Sequence, residues 1–171
     1  VLASMLAEWL IHKGYQIHLI DLGEKWSSEN KKPLYDAGVI TQQVEKQGIL
    51  LNFVSEAELL GCVRHILNAV GISSYEAATA LKKAFLFQLR RKRSFNFKEI
   101  LIALKIIKVS DETGWAGKIQ DRFECCGEMP DICFRVEKKG IFTNTSAIWE
   151  LSGIEDFYIQ MAAYLICYCL F

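Results

Sequence analysis

The chain has 171 residues, 51% of them hydrophobic, and carries 20 Lys+Arg against 20 Asp+Glu. That length closes one substantial core with room for a small subdomain, while a net charge of zero removes any whole-chain argument for nucleic acid or a membrane surface. Two prolines and 11 glycines leave no low-complexity linker and no compositionally disordered tail.

At the N-terminus Leu2, Met5, Leu6, Trp9 and Leu10 recur at helical spacing, which predicts a helix over Val1 to Lys13 with those residues on one buried face. No Ser, Thr, Asp or Asn precedes it as a cap, so the chain is expected to begin inside a larger unit. Gly14 stops the helix. Tyr15 to Ile20 is mostly aliphatic, β-branched or aromatic and predicts a buried strand, giving the αβ half of a βαβ crossover. Asp21, Leu22, Gly23 and Glu24 follow at the strand's end, where open parallel sheets bind ligands. The polar stretch Lys25 to Lys32 reads as a solvated loop, and Gly38 to Thr41 and Ile49 to Leu51 as short strands.

From about Ser55 to Gly127 the sequence reads as consecutive helices. Ser55 with Glu58, Ser73 with Glu76 and Asn96 with Glu99 each place an oxygen acceptor three residues ahead of a carboxylate, the spacing of a capping box. Apolar stripes follow each of them, and a fourth helix carries Trp115, Ile119 and Phe123. Such a helical package, inserted between strand-bearing blocks, can pack as a separate lobe. The last block returns to α/β: strands at Ile132 to Val136 and Ala147 to Leu151, then Ser152, Gly153 and a nearly all-apolar helix from Phe157 to Phe171. That run is shorter than the roughly twenty residues a bilayer helix needs. Glu155 and Asp156 mark an ordinary helix start, so a buried core helix is expected ahead of a truncated membrane span.

The six cysteines include no Cys-x-x-Cys pair, and with three histidines they do not supply zinc-ligand spacing. Half of them sit in apolar helical runs, where a thiol behaves as a small hydrophobe, which fits a reducing cytosol. His12, His18 and His65 have no Ser or Cys at a telling distance, so nucleophile-and-base catalysis is not legible. Arg90, Arg91, Lys92 and Arg93 form the only dense basic run, either a solvated helix end or a tip that contacts phosphates, with Phe95 and Phe97 as stacking surface.

Taken in order, a hydrophobic helix, Gly14, an apolar strand ending in Asp21, then Gly23 and Glu24, then Leu51-Asn52-Phe53, a helical insertion, and finally Trp149 to Gly153 feeding an apolar helix resemble the HerA/FtsK-like division of P-loop ATPases. That division includes conjugation ATPases and DNA translocases. The resemblance implies a partial RecA-like parallel sheet with an all-helical insertion, with residues 1–54 and 128–171 as core and 55–127 as insertion. It implies Asp21 and Glu24 as catalytic carboxylates, against the bland alternative of an Asp-x-Gly turn, and Gly23 at the cofactor. It also implies ATP and Mg2+ as cofactors, DNA contacted by Arg90 to Arg93, a hexameric ring of identical subunits, and a cytoplasmic motor that can work beside membrane-bound secretion or conjugation machinery. The departures are that Leu51-Asn52-Phe53 lacks the family's proline, that no Gly-x-x-x-x-Gly-Lys-Ser/Thr occurs, and that no hydrophobic run ending Asp-Glu follows the final helix. Both nucleotide-handling motifs are thus expected outside residues 1–171, and the chain alone is expected not to hydrolyse ATP. The alternatives are a non-enzymatic helical interaction module and a membrane-associated protein anchored by its C-terminal run.

Overall fold

A computed structural model describes residues 2–22, 26–53, 55–126, 131–135 and 145–170. The chain is mixed α/β, and its described strands form two three-stranded sheets.

The first sheet is wholly parallel. Its strands are β1 (His18–Asp21), β2 (Ile40–Gln43) and β6 (Ala147–Glu150), with β6 in the middle. His18 pairs with Ala147 through to Asp21 with Glu150, and Ile40 pairs with Ala147 through to Gln43 with Glu150. The strand that ends in Asp21 and the strand Ala147–Glu150 therefore lie side by side and run the same way. A central parallel strand is covered on both faces, which is why Ala147, Ile148 and Trp149 are all buried and read as a continuous apolar run. Ile148 packs with Ala7, Leu34 and Val39 on one side, whereas Ala147 and Trp149 join the main core on the other.

The second sheet sets β3 (Ile49–Asn52) parallel to β5 (Ile132–Arg135), and β5 antiparallel to β4 (Ser94–Asn96). The block expected to be all helical thus contains a short strand. Phe95 is buried between exposed Ser94 and half-buried Asn96, and it lies opposite Phe134. The rings of Phe85 and Phe134 meet edge to face at 4.5 Å, and Phe95 stacks on Phe134 at 5.5 Å.

The helices are α1 (Leu2–His12), α2 (Ser28–Asp36), the single turn α3 (Val44–Gln47), α4 (Glu56–Ala69), α5 (Tyr75–Leu89), α6 (Phe97–Ile107), α7 (Trp115–Glu124) and α8 (Asp156–Leu170). Two expected caps form as read: Ser55 Oγ accepts from Glu58 N at 3.2 Å, and Asn96 with Glu99 makes a reciprocal box with both bonds at 3.0 Å. At α5 the cap is Ser74 rather than Ser73; its Oγ accepts from Ala77 N and donates to Glu76 at 2.6 Å. Residues of α4 to α7 share one continuous core with β3, β5, Trp149 and α8, so the helical block does not wrap a core of its own. Tyr158, Met161, Ala162, Leu165 and Ile166 of α8 are buried in that core. Among the described residues no helix is long and apolar enough to cross a membrane.

Two expectations are corrected. The polar stretch read as a loop turns helical at Ser28, because Ser27 caps α2 by accepting from Asn30 N and Glu29 complements its N-terminal dipole. In α1 the buried residues are the small Ser4 and Ala7, while Leu2, Met5, Leu6 and Trp9 are 55–82% exposed. The helix packs on α2, and the larger apolar face has no covering neighbour among the described residues.

Candidate functional site

The carboxyl ends of three parallel strands converge on one polar row. Asp21, Glu150 and Gln43 are the last residues of β1, β6 and β2, and the register places them side by side across the sheet edge. Residues beyond such an edge are the usual ligand position in open parallel sheets, because the crossovers leave a crevice there.

Lys31 closes the row from above. It lies one helical turn before Leu34, so both fall on the face of α2 turned to the sheet. Its Nζ donates to Glu150 Oε1 at 2.5 Å and lies 3.1 Å from Asp21 Oδ2. Gln43 Nε2 donates to the other carboxylate oxygen, Glu150 Oε2, at 3.2 Å. Burial alone would push the Lys31 ammonium down, but the hydrogen bond to Glu150 and the negative charge of Glu150 and Asp21 outweigh it and hold its pKa above the ordinary lysine value. The ammonium is charged throughout the neutral range.

Asp21 is 4% exposed. Its Oδ2 is within ion-pair distance of Lys31, yet neither of its oxygens makes a hydrogen bond among the described residues, and Oδ1 has no partner of either kind. The row opens on a cleft of about 500 Å³, also walled by Trp26, Ser27, Ser28, Glu45, Lys46 and Ser152. Below the row, Trp149 Nε1 donates to His18 Nδ1 at 3.3 Å, and burial lowers the His18 pKa, so the imidazole there is the neutral acceptor.

Asp21 is thus in the cleft that its position at a strand end suggests. Gly23 and Glu24 lie outside the described residues, as does Gly127. Arg90, Arg91, Lys92 and Arg93 sit at the C-terminal end of α5, and none of them lines the cleft. Arg90 caps that helix, the Arg91 guanidinium lies 5.3 Å from the Phe87 ring centre, and Lys92 is paired with Glu99. The run is therefore partly engaged in closing the helix end. Sequence reasoning missed Lys31, Gln43 and Glu150 as site residues. Glu150 carried a signal, standing at the acidic position of Trp149 to Gly153; a single lysine in a polar stretch carries none.

The arrangement holds one ammonium between a buried carboxylate, Asp21, and a half-buried one, Glu150, which leaves one negative charge over. It is an acceptor-rich pocket, suited to cations and hydroxyl donors rather than to bare anions. Among the described residues no cluster of three or more His, Cys, Asp or Glu could hold a metal ion. No protein-family model, curated protein or solved structure matches the chain.

Proposed function

We propose that this chain is an interior segment of an ATP-driven motor of the HerA/FtsK-like kind, acting in DNA translocation or conjugative transfer. One observation carries the reading: β1 and β6 are parallel neighbours that deliver Asp21 and Glu150, in register, to the edge of a polar cleft. The exposed apolar face of α1 supports it too, since a segment buried within a larger core carries such a face where its neighbour packs.

The residues present do not fit a nucleoside triphosphate by themselves. Lys31 is already neutralised by two carboxylates, and the sequence holds no glycine-rich phosphate loop. Triphosphate contacts are therefore assigned to protein outside these residues, and the role left to this chain is to set two carboxylates at the sheet edge and exclude water beneath them. DNA, a ring of identical subunits and membrane-bound transfer machinery are the partners this reading carries, with Arg90 to Arg93 as the surface offered to phosphates.

Phosphate release from magnesium-ATP tests the reading, measured on the 171-residue chain and on any longer product of the same reading frame. The short chain should be inactive and the longer product active and DNA-stimulated, with Asp21→Asn lowering its kcat. Charge reversal at Arg91 and Arg93 should weaken DNA binding and flatten its salt dependence. A longer product that neither binds nor cleaves ATP overturns the proposal.

A further inference from the structure

We propose that the outer face of α6, with the 3-10 turn Lys108–Ser110 that continues it, is a docking surface for an acidic amphipathic helix of a partner protein. The face is built by spacing. Ile102, Ile106 and Val109 follow one another at four and three residues, so they stand in one row along the helix, and they are 54%, 48% and 91% exposed. The opposite side of α6 is already used, with Ile100 and Leu104 buried in the main core. A continuous aliphatic row about 10 Å long goes beyond the singly scattered apolar residues of an ordinary surface.

Charge names the partner. Helical spacing sets Lys98, Lys105 and Lys108 in a second row along one flank of the first. The only acid in residues 97–110 is Glu99, and it is already engaged by Lys92 and by the Asn96 N–H. Lys98 is exposed and enters no ion pair among the described residues. Lys105 shows what the row takes: Glu124 of α7 sets a carboxylate oxygen 3.1 Å from its ammonium, in an exposed pair that costs little to exchange. Lys108 lays its stem against Gly117, where a Cβ would come within 2.9 Å of Lys108 Cε, so its position is held before a partner arrives. A helix laid along α6 reads both rows at once, aliphatic ridge against aliphatic ridge and carboxylate against ammonium. An anionic lipid surface suits the face less, because interfacial helices rely on a broad apolar face rich in Trp, Phe or Leu, and nucleic acid phosphates gain nothing from the aliphatic row. The inference uses no cleft residue and does not rest on the motor reading.

The test is a titration of the 171-residue chain with a synthetic helix of about four turns that carries leucine at the same four- and three-residue spacing and glutamate along one flank, followed through the methyl NMR signals of Ile102, Ile106 and Val109. Those signals should shift with a dissociation constant below about 1 mM, the scale of a small transient contact, and a peptide of the same composition in scrambled order should bind about tenfold more weakly or worse. Val109→Asp, at a 91% exposed position, and the pair Lys98→Glu/Lys108→Glu should each weaken binding about tenfold or more while urea midpoints stay at the wild-type value. No shift up to that concentration, equal binding of the scrambled peptide, or undiminished binding by either variant would each overturn the inference. Phosphatidylglycerol vesicles are the last arm: if they, and not the peptide, perturb the same signals, the face is a lipid surface and the helical partner is refuted.

Discussion

Replacing Lys31 by Met removes the ammonium that, among the described residues, bridges Asp21 and Glu150, while preserving most of the aliphatic packing. Lys31 is 8% exposed and Asp21 4%, and the Glu150 side chain is 16% exposed. Removing one partner of a buried ion pair costs about 3–5 kcal/mol, because the other charge stays behind. Here two charges stay behind, but one wall of their pocket is an open cleft, which sets the expectation at the lower end, about 3 kcal/mol. With a urea dependence of roughly 2 kcal/mol per molar, the unfolding midpoint should fall by about 1.5 M. Neutralising the carboxylates as well, in Lys31→Met/Asp21→Asn/Glu150→Gln, should recover most of that loss, since amides of the same shape carry no uncompensated charge. The raised pKa of Lys31 fixes the sign with pH: its contribution is fully present below the ordinary lysine value of 10.5 and is lost as pH rises through the higher folded value. Tryptophan fluorescence follows the transition, with Trp149 buried beside the row. A Lys31→Met midpoint within about 0.3 M of wild type, or a triple variant no better than the single one, would refute the electrostatic account.

Phe134 is fully buried and touches Phe85, Phe95 and Phe97 with its ring, so Phe134→Ala should cost about 3–5 kcal/mol in the same urea assay; a loss below 1 kcal/mol would mean that the second sheet does not anchor the core. Because burial lowers the His18 pKa, the unfolded chain takes up a proton first on acidification. Stability should be complete above pH 6.5 and decline below it, and His18→Gln should remove that component from urea midpoints measured between pH 8 and 5; identical pH profiles would show that the imidazole is not the titrating group. Gly48 has φ +72°, and a Cβ there would lie 2.5 Å from the Asp131 carbonyl oxygen. Gly48→Ala should therefore destabilise by more than about 1 kcal/mol, and an unchanged melting temperature would contradict the backbone geometry at the start of β3.

What was legible came from patterns that act locally. The N-cap at Ser55 and the capping box at Asn96 are side chain to backbone contacts within one turn, and the apolar run at β6 reflects burial on both faces, so both survive in the linear sequence. The partition of the strands into two sheets did not, because β3 and β5 are 83 residues apart in register and nothing local encodes which strand pairs with which. The loop reading of Lys25 to Lys32 failed because the buried face of α2 carries a lysine as well as Leu34; its burial depends on Glu150, over a hundred residues away. The burial expected of α1 failed for the opposite reason: helical spacing locates an apolar face but says nothing of whether a neighbour covers it. The same limit separates the two halves of the site. Asp21 could be inferred from its place at a strand end, whereas Lys31 and Gln43 become site residues only through tertiary proximity.

Trp149 belongs to the parallel sheet by its backbone and to the large aromatic and aliphatic core by its side chain. It is also the immediate neighbour of Glu150. A change of charge or occupancy at the sheet edge therefore acts one peptide bond from an indole wedged among the residues that seat α4 to α8. Any shift of the β6 terminus must therefore be met by repacking around that indole, which ties the polar edge of the parallel sheet to the seating of the helices.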